Sequence, residues 1–276
     1  MWGAIEAGGT KFYCAVGTGP DDVEVSEAIA TTTPAETLAG VFEFFGRHPK
    51  VKRLGLGAFG PVEIATGTIL RTTPKKEWRG CRLAQRVEQA LGVPVFTDTD
   101  VNVAALGEYQ WGAAQAADPF LYLTIGTGVG GGGLVNGRLL HGALHPEMGH
   151  LHVPRERRDR FPGVCPAHGG ACLEGLISGP ALNERERRGE DATAWAIHYL
   201  AWGLLNLTYA YSPRLVVLGG GVMKRPGILR GVRTRLRELN QGYAPLPQLV
   251  RPALGDRAGV LGALALAAGA TLPSPD

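Results

Sequence analysis

The chain has 276 residues, of which 45% are hydrophobic and 19% charged, and its formal net charge is +3. That length allows one large domain or two smaller ones, and the apolar content is sufficient for a core. The mild charge balance argues for neither a nucleic-acid nor a membrane partner, no apolar run reaches the roughly 18–20 residues of a membrane span, and the N-terminus lacks the basic and apolar regions of a signal peptide. Glycine is the outlier, at 41 residues, against a usual frequency of about 7%. Without a collagen period, these glycines point to tight turns and close backbone approaches. Four cysteines, Cys14, Cys81, Cys165 and Cys172, are too few for a disulfide scaffold and fit a reducing cytoplasm.

Taken in order, Trp2–Glu6 and Lys11–Gly17 are predicted strands around the turn Ala7-Gly8-Gly9-Thr10, because Phe12, Cys14 and Val16 alternate with Lys11, Tyr13 and Ala15. Thr33-Pro34-Ala35-Glu36 has the form of a capping box with proline at the first helical position, and Leu38, Val41, Phe42 and Phe45 carry that helix to Arg47. Val51–Gly57 reads as a strand leading into Ala58-Phe59-Gly60-Pro61-Val62, and Ile64–Thr72 as a hairpin around Thr66-Gly67. A helix over Cys81–Leu91 stops at Gly92, and Val93–Thr97 is expected to be a short buried strand. Asp98-Thr99-Asp100 then opens a helix bearing Val103, Ala104, Leu106 and Trp111.

The second half opens as the first does, with a strand over Phe120–Ile125, the turn Gly126-Thr127-Gly128, and a hairpin around Asn136-Gly137. An irregular segment runs from His141 to Cys172 and includes Arg155, Arg157, Arg158 and Arg160, read as a solvated run. Helices are predicted from Leu173, from Pro180 and over Ala194–Tyr211. Leu215–Leu218 is a buried strand entering Gly219-Gly220-Gly221, and Arg257–Ala268 an apolar helix. The repeated pattern implies a twofold α/β architecture with a cleft, its junction near Trp111–Pro119.

Three constellations carry chemistry. The turns Gly8-Gly9-Thr10-Lys11 and Gly126-Thr127-Gly128 expose N–H groups and a hydroxyl suited to phosphate oxygens, or serve only to shape hairpins. Residues 126–131 satisfy G-x-G-x-x-G, but the hairpin that follows excludes a dinucleotide fold, and there is no P-loop sequence. Cys165-x2-His168-x3-Cys172, with His150 upstream, supplies four ligands suited to tetrahedral zinc; His152 competes with His150, and free thiols in a loop are the alternative. Asp98 and Asp100 sit where a strand meets a helix, as a proton acceptor or as a helix cap. Glu147 and Glu174 flank the candidate zinc ligands and either accept hydrogen bonds from sugar hydroxyls or, taken alone, are ordinary polar residues. His198, Cys14 and Cys81 read as packed groups.

Glu6-Ala7-Gly8-Gly9-Thr10-Lys11, Gly60-Pro61-Val62, Asp98-Thr99-Asp100-Val101-Asn102, Gly126-Thr127-Gly128-Val129-Gly130, His145-Pro146-Glu147-Met148-Gly149-His150, Cys172-Leu173-Glu174-Gly175 and Gly219-Gly220-Gly221 occur in that order. Together they resemble the ROK family of sugar kinases, specifically its fructokinase branch. The resemblance implies an α/β fold of two actin-like/hexokinase-like (ribonuclease H-like) domains, with sugar and ATP meeting in the cleft. It divides the chain into 1–112 (sugar and phosphate), 113–250 (nucleotide and zinc loop) and 251–276, a C-terminal helix packing back on the first domain. It also implies Mg2+, a structural zinc (Zn2+) held by His150, Cys165, His168 and Cys172, and a cytoplasmic homodimer with no nucleic-acid or membrane partner.

By the same resemblance, Asp100 is the catalytic base, and Gly60, Pro61, Asp100, Glu147, His150 and Glu174 bind the sugar. Gly8, Gly9, Thr10, Lys11, Gly126, Thr127 and Gly128 match the phosphate loops, and Gly219, Gly220 and Gly221 lie near adenosine. Glu6 replaces the aspartate, and Thr99 the asparagine, of glucokinase-type members, and Cys165-x2-His168 replaces their cysteine-rich pattern. All three departures point to D-fructose as acceptor, giving D-fructose 6-phosphate and ADP. The alternatives are a kinase preferring mannose or glucose, and a ROK-type sugar-sensing protein or regulator without kinase activity. A regulator's helix-turn-helix domain has no room ahead of the first strand, and the intact Asp100 and phosphate loops speak against lost catalysis.

Overall fold

A computed structural model describes residues 1–269; residues 270–276, the end of the expected 251–276 segment, lie outside the described residues. The elements up to Trp111 are β1 (Trp2–Ala7), β2 (Lys11–Gly17), β3 (Glu24–Val25), β4 (Ile29–Ala30), α1 (Pro34–Gly46), β5 (Leu54–Ala58), β6 (Val62–Glu63), β7 (Thr68–Ile69), α2 (Leu83–Leu91), β8 (Val95–Thr99) and α3 (Asp100–Trp111). After them come β9 (Phe120–Ile125), β10 (Val129–Val135), β11 (Arg138–Leu139), α4 (Leu173–Ile177), α5 (Gly179–Arg187), α6 (Ala192–Tyr211), β12 (Leu215–Gly219), α7 (Ile228–Asn240), β13 (Gln248–Val250) and α8 (Ala258–Ala268).

The first sheet has the order β3–β2–β1–β5–β8, with β4 also on β2, and the second the order β11–β10–β9–β12–β13. The chain clusters into two compact units. One holds Met1–Ala116, Gly137–His145 and the chain from Ala253 onward; the other holds Ala117–Asn136 and Pro146–Pro252. The expected division at 112–113 and 250–251 has no counterpart for the return of Gly137–His145 to the first unit.

In the first unit, strand alternation sorts side chains to two cores. Ile5, Phe12, Cys14, Leu54, Leu56 and Ala58 point to the core shared with α1 and α2. Ala4, Ala15 and Val103 meet Val260, Leu261 and Leu264 of α8 on the other face. On that face β5 carries Gly55 and Gly57, and the glycines let helices press onto the strand. A Cβ on Gly55 would stand 1.9 Å from the Ala263 carbonyl oxygen, and one on Gly262 1.7 Å from that of Val103.

Helix α1 begins as expected: Thr33 Oγ1 accepts the Glu36 N–H, and the Glu36 carboxylate accepts the Thr33 N–H. Gly92 ends α2 in the left-handed conformation, φ 67°. Strand β8 departs from expectation. It begins two residues late, at Val95, and lies at the sheet edge, so Phe96 stays exposed and stacks under Arg53.

In the second unit, β9, β12 and β13 run parallel and β10 returns antiparallel. The glycine-rich β10 is explained by packing. A Cβ on Gly131 would meet Met148 at 2.6 Å, and one on Gly149 would lie 1.8 Å from the Val129 carbonyl oxygen. The absent side chains thus let the 3-10 turn Met148–His150 lie directly on the strand. Helix α7 goes beyond the sequence-based expectations; its buried Ile228, Val232 and Leu236 recur every fourth residue. Among the described residues no helix is long and apolar enough to cross a membrane.

Candidate active site

The parallel strands β1, β5 and β8 are neighbours in the first sheet. The loops that follow their carboxyl ends therefore emerge side by side, the usual place for a ligand in an open α/β sheet. These loops carry Gly8–Lys11, Gly60-Pro61 and Asp100. In the first, the Gly8 N–H donates to the Lys11 carbonyl at 3.0 Å and Thr31 Oγ1 to the Gly8 carbonyl at 2.8 Å, which leaves Thr10 and Lys11 exposed. In the second, the Gly60–Pro61 peptide is cis, and the Leu70 N–H donates to the Pro61 carbonyl at 2.8 Å.

The third loop resolves the capping question. The cap of α3 is Thr99, whose Oγ1 accepts the Asn102 N–H at 3.0 Å. Asp100 is therefore the first helical residue, half-buried, and its Oδ1 accepts the Val101 N–H at 2.9 Å. Asp98 is buried at 2% exposure. Its Oδ1 accepts from the Thr99 N–H (2.7 Å) and Asn102 Nδ2 (2.9 Å), and its Oδ2 from His141 Nε2 (2.9 Å). That bond holds the His141 imidazole above the ordinary histidine range.

Glu6, at the end of β1, adds a third carboxylate. Its side chain lies over Gly259 in the first turn of α8, where a Cβ would come within 2.3 Å of Glu6 Cδ. Burial, and then repulsion from Asp100 and Asp256, pushes its carboxyl up to about 7. Oxygen donors of this kind beside a phosphate-type turn fit a hard divalent cation such as Mg2+.

In the second unit the pairing of β12 with β9 sets Gly219 opposite Thr124, so Gly126–Gly128 and Gly219–Gly221 emerge together. A Cβ on Gly220 would stand 2.3 Å from the Ile125 carbonyl oxygen. The Gly126 N–H donates to the Gly128 carbonyl at 2.8 Å, and Thr127 is exposed. Glu174 Oε2 accepts the Val129 N–H at 3.0 Å, so this carboxylate braces the phosphate-type turn.

His150, Cys165, His168 and Cys172 converge, with ligand atoms all within 4.8 Å of one another. Cys165 Sγ lies 3.8 Å from His150 Nδ1 and 3.7 Å from His168 Nδ1. Ligands about 2.0–2.3 Å from a tetrahedral ion stand about 3.3–3.8 Å apart, so the N2S2 set fits zinc. His150 turns Nδ1 to the sulfur, which leaves Nε2 for a second partner. His152 falls outside the group, because His150 sits in a 3-10 turn rather than on a strand, and residue 152 instead bridges to Cys172 through the backbone. The Gly175 N–H donates to Cys172 Sγ at 3.4 Å. Glu147 is exposed beside this loop.

Two corrections concern neighbouring residues. Arg155 is not part of a solvated run: its guanidinium donates to the carbonyls of Gly170 (2.9 Å) and Phe161 (2.6 Å), tying the loop together. His141 lies outside the motifs and His145 opens one of them without a role assigned to it, yet both bind loops of the first unit; two histidines four residues apart at the start of a motif are the signal for them.

The fructokinase of Zymomonas mobilis is 39% identical over 290 residues, covering 97% of this chain and 96% of that protein. The ROK hexokinase from Thermus thermophilus superposes with a TM-score of 0.81 at 30% identity, covering 98% of each chain. A ROK family glucokinase from Streptomyces griseus, solved with glucose and AMPPNP, gives a TM-score of 0.80 at 26% identity, covering 97% of this chain and 99% of that one. The fold is accordingly the α/β, actin-like/ribonuclease H-like architecture with two domains. The ROK family profile matches residues 2–270, and the chain belongs to that family.

Proposed function

We propose that the chain is an ATP-dependent hexose kinase that phosphorylates D-fructose to D-fructose 6-phosphate. The observation that carries this reading is the row of loops after β1, β5 and β8. The phosphate-type turn, the Gly60-Pro61 loop and Asp100 follow the carboxyl ends of three adjacent parallel strands. Asp100 accepts the proton of the sugar's 6-hydroxyl as that oxygen attacks the γ-phosphorus. The new O–P bond forms, the bond to the β-phosphate oxygen breaks, and ADP leaves. Such a reaction is driven by positioning and charge stabilisation.

Gly8–Lys11 and Gly126–Gly128 bind phosphate oxygens, Gly219–Gly221 the adenosine, and Gly60, Pro61, Glu147, His150 and Glu174 the sugar. Glu6 and Asp100 are the carboxylates that would hold Mg2+, which would supply charge neutralisation for the phosphates. His150, Cys165, His168 and Cys172 would hold zinc, which would fix the loop and with it His150 and Glu147. The reduced cysteines suit a cytoplasmic enzyme, and the resemblance supports a homodimer.

Fructose is favoured because Thr99 spends its hydroxyl as a helix cap and offers no amide to an aldohexose. Losing such a partner costs about 1–3 kcal/mol, roughly tenfold to a hundredfold in specificity. Side-by-side kinetics with fructose, mannose, glucose and N-acetylglucosamine test this, with the highest kcat/KM expected for fructose. A preference for glucose refutes the fructose assignment, and ADP formation with no hexose refutes the kinase.

A further inference from the structure

The segment Gly137–His145 belongs to the first unit, although the residues before and after it belong to the second. Two histidines fix it there. His141 Nε2 lies 2.9 Å from Asp98 Oδ2, and since a carboxylate oxygen accepts, the imidazole donates. One residue earlier, the Leu140 carbonyl accepts from Asn102 Nδ2 at 3.2 Å. At the other end, His145 Nε2 accepts the Val62 N–H at 3.1 Å, and the ring is buried. Between the two histidines, Gly142, Ala143 and Leu144 are exposed. One short stretch thus grips the strand–helix corner that presents Asp100 and also the loop that contains Gly60-Pro61.

We propose that Gly137–His145 is a positioning strap, in which His141 sets the orientation of Asp100 through Asp98 and Asn102, while His145 sets the Gly60–Val62 main chain against the sugar. The proposal rests on the reading of Asp100 as base and of Gly60-Pro61 as sugar-binding. The chemistry of Asp98 explains why a histidine is used. A buried carboxylate needs hydrogen-bond donors on both oxygens. Oδ1 is served by the backbone of Thr99 and the amide of Asn102, and Oδ2 by His141. The bond that raises the basicity of His141 also favours the cationic ring, which offsets that charge. His145 works by the opposite polarity: its ring nitrogen receives a main-chain proton, which leaves the loop without an orphaned N–H.

The test pairs a mute substitution with one that restores the hydrogen bond at each position. At 141, leucine offers Asp98 nothing, and glutamine offers an amide N–H. At 145, leucine offers Val62 nothing, and glutamine offers a carbonyl. His141→Leu is expected to lower kcat by about tenfold to a hundredfold, with KM for ATP within twofold of wild type and His141→Gln recovering most of the loss. His145→Leu is expected to weaken fructose binding, measured calorimetrically without ATP, by more than it lowers kcat, and His145→Gln to restore it. Circular dichroism melts run on all four variants; if a leucine variant does not fold, its glutamine partner must still match wild type. Leucine variants equal to wild type, or glutamine variants as impaired as leucine ones, overturn the strap while a working wild type keeps the kinase. A wild type that phosphorylates no hexose ends both.

Discussion

At the Asp98–Asn102 corner, a strand runs straight into a helix. Its geometry follows from β8 pairing with β5 and from the Thr99 cap on α3, and Asp100 is simply the first residue the helix presents. The loop from His150 to Cys172 has no strand or α-helix of its own to set its shape, although buried Asp159 ties its middle to Arg185 and Tyr199. Its backbone is held by isolated bridges at His152–Cys172 and Cys165–Gly169 and by the guanidinium of Arg155. Its four candidate ligand side chains nevertheless converge. The corner should therefore lose its chemistry without losing its shape, whereas the loop should lose both at once.

The largest effect is expected at the corner. Asp100→Asn should lower kcat by about 10²–10⁴-fold, with the melting temperature unchanged and fructose affinity within a few-fold in calorimetry. A kcat close to wild type would make Asp98 the next base to test and would remove the contrast.

The loop comes next. Elemental analysis should find one zinc per chain. Chelation, or Cys165→Ala, is expected to abolish hydrogen-exchange protection across residues 146–172 while β1, β2 and β5 stay protected, and to lower turnover by about tenfold to a hundredfold. Metal-free protein with an ordered loop would break the comparison from the other side.

Glu6 sharpens it with pH. The carboxyl rises from an ordinary 4.5 to about 7 in the fold, so the native state holds more protons than the unfolded chain between those values. Stability is then lost as pH rises through that window. Glu6→Gln, neutral throughout, should match wild type below pH 4.5 and exceed it above pH 7 by about 3 kcal/mol in urea unfolding. Adding Mg2+ should narrow that gap. Equal curves at pH 8 without metal would mean that Glu6 is ionised at no cost.

Smallest is the cap. Thr99→Ala should cost about 1 kcal/mol of stability in urea, and Thr99→Asn nearly nothing, since asparagine caps as well as threonine does. Equal losses would show that the hydroxyl is not what holds the corner.

Much of this was legible in the sequence because its signals are local. The Thr33–Glu36 box, the stop at Gly92 and the Asn136-Gly137 turn each depend on a few consecutive residues. The cysteine and histidine spacing likewise located the loop, though only the 3-10 turn at Met148–His150 separates His150 from His152. What stayed hidden depends on residues far apart in the chain. Periodicity cannot say that β8 lies at an edge, because that is decided by which strands pair. Nothing near His141 or His145 reveals that their partners are Asp98 and Val62. Helix α7 had a readable four-residue repeat, masked by its many arginines.

The glycines beneath α8 bear on how the protein is made. On the ribosome, β1, β5 and α3 emerge long before α8, yet Gly55 and Gly262 are bare so that backbone can meet backbone there. Until α8 arrives, Ala4 and Ala15 on that face of the first sheet, and Val103 of α3 beside them, lack the helix they pack against. The unit that begins first during synthesis is thus completed last. A chaperone that shields this face, or a pause in translation before α8, would act on a nascent chain whose oldest strands are still waiting for their youngest helix.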